Sequence, residues 1–138
     1  MGVLASALEL QGGILTALLA HTPLTDIVGV KIYDEPPDGT EVPYVCYGDP
    51  TEEDWGSKSF DGTEHSIQLH CWSDHRGAKQ AREILDAIYT HLHNNTASIS
   101  LTGHTLVNLR YTFSDVFREP NGVTRQGVIR FRAVTHTP

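Results

Sequence analysis

The last third of the chain restricts the fold more than any other feature. Residues Thr105 to Phe117 and Val123 to Thr135 both alternate apolar and polar side chains, with Pro120-Asn121-Gly122 between them. Two such runs around an Asn-Gly turn predict an antiparallel hairpin. In the first run Val107, Leu109, Tyr111 and Phe113 are expected to face one way. In the second, Ile129, Phe131 and Ala133 do so, opposite Arg130 and Arg132. A hairpin alone is marginal in water, so its apolar face needs a cover.

The best cover is the segment from about Arg76 to His93. Ala78, Ala81, Ile84, Leu85, Ile88 and Leu92 fall at the 3–4 spacing of an amphipathic helix, with Ser73 or Asp74 as its cap and Asn94-Asn95 as its end. Before it, Thr63 to Ser73 alternates as a strand, with Ile67, Leu69 and Cys71 on one face and Gln68 and His70 on the other. Pro43 to Tyr47 reads as another strand, and Asp34 to Gly39 as a loop. Val3 to Ala20 predicts a helix with Leu4, Leu8, Leu15, Leu18 and Leu19 near one face. Gly12 and Gly13 bend it or seat it against another backbone, and Thr22-Pro23 ends it. Gly48 to Gly62 reads as a long polar loop. The order helix, strand, strand, helix, strand, strand predicts an α+β fold. It would be a single, largely antiparallel sheet with two main helices packed on one face and a long hairpin loop, as one domain over 1–138.

With 138 residues and a net charge of -7, the chain repels phosphate rather than attracting it, which disfavours non-specific nucleic-acid binding. No apolar run reaches the roughly 18 residues a membrane span requires, and no basic leader precedes the first apolar stretch. The expectation is a soluble protein of the cytoplasm, with no membrane partner.

Reactive constellations are sparse. His91 and His93 lie about 200° apart around a helix, and His65 and His70 point to opposite faces of a strand, so neither pair has zinc-ligand spacing. Cys46 and Cys71 read as buried thiols, and Cys71 points away from His70. No Gly-x-Ser-x-Gly elbow or phosphate loop occurs. No catalytic residue, metal or cofactor is expected. Trp55 and Phe60 lie in an acidic loop, either as a contact surface or folded back on their own domain. Arg125, Arg130 and Arg132 are expected to line one face of the last strand, a stripe that could bind nucleic acid but is better suited to pairing with carboxylates of another subunit.

Several segments in order resemble the tail-terminator, or tail-completion, family of long-tailed phages and gene-transfer particles. They are Lys31-Ile32-Tyr33-Asp34, Pro43-Tyr44-Val45, His65 to Ser73 ending in Trp72-Ser73, Leu101 to His104, and the run from Glu119 to Ala133. The resemblance covers nearly the whole chain. It implies a virion structural protein, assembled in the host cytoplasm, that forms a homo-oligomeric ring, usually a hexamer. The ring would cap the tail tube protein, end elongation and meet the head-tail connector or neck protein, with DNA passing through. Trp55, Phe60, Arg125, Arg130 and Arg132 become candidate subunit or tail contacts, and Glu52, Glu53, Asp54 and Asp61 candidate lumen residues. The alternatives are a small metal- or cysteine-dependent hydrolase using His70, Cys71 or the acidic loop, a neck or head-completion protein, or a module binding a host or phage protein.

Overall fold

The computed structural model describes residues 4–75 and 77–137. Two helices come first, α1 (Ala5–Leu19) and α2 (Thr22–Val28). Then come β1 (Ile32–Tyr33), β2 (Tyr44–Tyr47), β3 (Thr51–Asp54) and β4 (Asp61–Ser73). After α3 (Lys79–Leu92) and a 3-10 turn at Thr96–Ser98, β5 (Thr105–Arg118) and β6 (Arg125–Thr137) complete the chain order. The strands form one open six-stranded sheet in the order β1-β2-β4-β6-β5, with β3 beside β4 beyond the end of β2. Only β1 and β2 run parallel. The fold is α+β with a largely antiparallel sheet, as expected, but it has three helices among the described residues. The expected helix starts at Val3 and Arg76 lie outside those residues.

Thirteen paired positions join β4 to β6, placing Ile67 beside Phe131 and Leu69 beside Ile129. These side chains are at most 1% exposed and share a face with His65, Cys71 and Ala133. The helices cover this face alone. From α3 come Ala81, Ile84, Leu85, Ile88 and Leu92, which is the predicted stripe without the half-buried Ala78. The expected cap does not form: Ala78 precedes the helix, and the Ser73 hydroxyl donates to Gln80 Oε1 and accepts the His75 N–H. Asn94 takes a positive φ of 56° and ends the helix region.

On α1 the leucine reading is corrected. The buried positions are Ser6, Leu10, Ile14, Ala17 and Leu18, whereas Leu4, Leu8 and Leu19 are exposed. Leucine density misled, because the face is set by the 3.6-residue turn that brings 10, 14, 17 and 18 together. Gly12 and Gly13 do not interrupt the helix. A Cβ on Gly13 would lie 2.8 Å from Ile99 Cγ2, so the glycine seats α1 against the segment after α3. Pro23 occupies the first turn of α2, where its missing N–H costs nothing, so Thr22-Pro23 starts a second helix as well as ending the first.

The final hairpin forms, but its alternation is broken. Irregularities between Leu106 and Asn108 and between Tyr111 and Phe113 shift the β5 register. Each inserts a residue and reverses the facing of the strand beyond it. Leu109 and Tyr111 therefore stay on the helix-covered side, while Phe113, paired with Arg130, turns to the uncovered side and Val107 is exposed. The turn is longer than two residues: Asn121 Oδ1 accepts the N–H groups of Val123 and Thr124, and Gly122 has a φ of 74°.

Gly127 lies where β6 passes under α3. A Cβ there would sit 2.7 Å from Cys71 Sγ and 3.2 Å from Leu85 Cδ1. Gly127→Val is expected to destabilise the fold by about 1–3 kcal/mol through overpacking, and adding Cys71→Ala to restore part of it. Urea unfolding of the four variants in that cycle measures both effects.

Candidate assembly interface

Glu52, Glu53 and Asp54 occupy a strand, not the expected loop. Thr51–Asp54 pairs with Thr63–Ser66 of β4, and all four side chains are exposed. Acidic residues have low strand propensity, which hid this element, yet they suit an edge strand because charge there discourages stray pairing. Glu53 sits opposite Glu64, a like-charge pair relieved where Arg132 Nε donates to Glu64 Oε1. Asp61 begins β4 opposite Thr137 and is exposed.

Trp55 and Phe60 flank the β3–β4 turn. The Trp55 N–H donates to Gly62 O at 3.0 Å, and the Ser57 N–H to Phe60 O at 2.9 Å. The two rings lie 5.7 Å apart, and Phe60 meets His136 edge-on at 5.2 Å. A Cβ on Gly62 would come within 2.9 Å of Trp55 Cε3, so the indole rests on bare backbone. The loop thus folds back, yet Trp55 remains 39% exposed.

The arginines divide between faces, correcting the single stripe. Arg130 and Arg132 lie on the uncovered side, paired with Gln68 and Ser66, but Arg125 pairs with Ser73 on the opposite side. Strand alternation requires it, since 125 differs in parity from 130 and 132. Arg130 stands over the Phe113 ring at 4.9 Å. Three features of this region escape a reading of the sequence. One is the stacked pair Tyr44–Trp72, with ring centroids 5.0 Å apart. Another is Phe117, exposed on the same uncovered side. The third is a pair of arginines, Arg110 and Arg118, whose strand partners are Arg132 and Arg125. The exposed Phe-Arg spacing across a hairpin was the available signal.

Of the groups with chemical potential, Cys71, Ser6 and His65 are buried, whereas Cys46 and His70 are half-buried cross-strand partners beside Asp34 and Asp49. Burial pushes the Cys71 thiol up to about 12, against a smaller lowering by the Gly127 backbone contact. His70 lies on the other side of the sheet, where its ring nitrogen meets Gln126 at 3.1 Å. Cys46 is only half-buried, unlike the expectation, and its pKa is raised by burial and then by Asp34. Ser6 and His65 approach at 3.5 Å, and His65 meets Thr135 Oγ1 at 2.9 Å, but Ser6 and His65 are at most 1% exposed. Among the described residues no three His, Cys, Asp or Glu side chains converge to hold a metal.

Residues 12–136 match the sequence pattern of a family described as Tail completion protein gp17. The chain is 25% identical over 123 residues to the tail completion protein gp17 of Bacillus phage SPP1, covering 89% of each. It also superposes on a chain in the structure titled virion of native gene transfer agent particle. That match has a TM-score of 0.88 and 26% identity, and covers 96% of this chain and 98% of the other.

Burial, and then the neighbouring His104, hold the His65 pKa down to about 4, against 6.5 when unfolded. Above pH 6.5 neither state carries this proton. Between 6.5 and about 4 the unfolded chain binds it and the fold does not, so stability falls as pH falls. The expected loss reaches about 3 kcal/mol near pH 4. His65→Asn removes that part of the slope, measured as the wild-type-minus-variant difference in urea unfolding from pH 7 to 4.

Proposed function

Because this chain belongs to the Tail completion protein gp17 family, we propose that it closes the head-proximal end of a virion tail as a ring of its own copies. The ring, a hexamer in this reading, sits on the last layer of tail tube protein, ends elongation and presents a surface to the head-tail connector. The observation that carries this reading is the whole-chain likeness, at a TM-score of 0.88, to a chain of a gene transfer agent virion. The family is one of structural tail proteins, and the chain's work is proposed to lie in its surfaces. The burial of Cys71, Ser6 and His65 supports that, because reacting groups need access.

A ring requires two different complementary surfaces on each copy. The exposed Trp55 with Phe60, and the arginines Arg125, Arg130 and Arg132, are proposed to contact neighbouring subunits or the tail. Glu52, Glu53, Asp54 and Asp61 are proposed to face the lumen. Fixed negative charge there repels phosphate, so DNA slides through without sticking. All four carboxylates are exposed, as that role needs.

Tails assembled without this protein are expected to be overlong and headless, and the purified chain to restore uniform length when added to such lysates. Electron microscopy of tail lengths checks it, and unchanged lengths in both lysates would remove the reading. Replacing Glu52, Glu53 and Asp54 together by Lys is expected to leave tail length unchanged. DNA delivery by the completed particles should slow, read as the rate of DNA release on triggering.

A further inference from the structure

Charge is distributed across the sheet in a way the isolated chain does not neutralise. Five of the ten Lys and Arg residues, Arg110, Arg118, Arg125, Arg130 and Arg132, lie in the β5–β6 hairpin, against two acidic residues there. At the far side, residues 34–57 contain eight acidic residues and no Lys or Arg. The strand order places β1, with the acidic loop after it, and β5 at opposite outer edges.

Two arginine pairs make the imbalance specific. Arg118 stands opposite Arg125, and Arg110 opposite Arg132. Like charges directly across a sheet repel, so such pairs are held against their own electrostatics unless an anion joins them. Glu64 joins Arg132. Among the described residues, no carboxylate forms an ion pair with Arg110, Arg118 or Arg125. The loop is equally unpartnered: among the described residues Asp34, Glu35, Asp38 and Glu41 are exposed or half-exposed without an ion pair. The nearby Lys31 ammonium donates to the Glu41 backbone oxygen at 3.1 Å.

We propose that the arginine-bearing tip of the β5–β6 hairpin docks on the acidic β1–β2 loop of the adjacent copy, Arg118 and Arg125 against Asp34, Glu35 and Asp38. This rests on the ring reading above and assigns the two surfaces of its heterologous contact. A second copy fits better than DNA, because the complementary anion is carried by the chain itself and the net charge of -7 opposes a phosphate partner. Arginine forks suit bidentate pairing with carboxylates at an interface. Repeated from outer edge to outer edge, the contact propagates in one direction and closes when its rotation closes.

The test is complementation of a particle genome lacking this gene, with each variant first shown to unfold at the wild-type temperature. Arg118→Glu with Arg125→Glu, and separately Asp34→Lys with Glu35→Lys and Asp38→Lys, are each expected to abolish completed particles. Carrying both sets in one chain restores the yield, as does co-expressing the two variants, which alternate around an even-numbered ring. Full yield from either single-sided variant overturns the docking, and so does failure of the combined chain while wild type complements. Loss with the arginine variant alone, together with arginine-dependent binding of duplex DNA, assigns the arginines to DNA and overturns it too. Normal tails with no copy of this protein at all would remove the terminator reading, and the docking with it.

Discussion

The pairing of β4 with β6 carries the rest of the molecule. Over thirteen positions it brings Ile67 to Phe131, Leu69 to Ile129 and His65 to Ala133 on one face, each side chain nearly inaccessible to solvent. Each large apolar side chain removed from water contributes about 2 kcal/mol. A slip of one residue would send this whole set to the uncovered face and bring Gln68, His70 and Arg130 beneath the helices. Gly127 tightens the constraint, because only a residue without a side chain lets β6 run between Cys71 and Leu85.

One covered face leaves one open. The helices occupy the side of Ile67 and Phe131, and no described helix lies over Tyr44, Trp72, Phe113 and Phe117. Aromatic rings there cover one another in part: Trp72 stacks on Tyr44, and Arg130 lies over Phe113. His65 and Cys71 are inside, Cys46 and His70 are half-buried, and the carboxylates of β3 are outside on a strand edge.

Two buried histidines, His65 and His104, and two half-buried ones, His21 and His91, illustrate how polar groups are tolerated in and around such a core. His65 is held neutral by burial and reaches Thr135, and His104 reaches Thr137 at 2.8 Å. His21 stacks on His91 at 4.1 Å, and burial, then the His91 charge, lowers its pKa. For His65 and His21, whose pKa values are lowered, the fold favours the neutral ring and loses stability as acid charges it.

By itself the sequence determined the elements whose pattern is local and strong. These are the amphipathic helix ending at Asn94, the alternating strand ending at Ser73, the closing hairpin and the α+β class. In each, the period of apolar residues reports which face meets the core. Tertiary structure alone decided what that period cannot carry. The acidic strand β3 exists because β4 offers it a partner edge, against the propensity of Glu52, Glu53 and Asp54. Two bulges turn Phe113 away from Tyr111, and parity separates Arg125 from Arg130 and Arg132. Cross-strand pairing likewise sets Arg118 opposite Arg125. Residues distant in sequence become neighbours only through the ladder, so the placement of charge at the two outer edges is a product of register and not of composition.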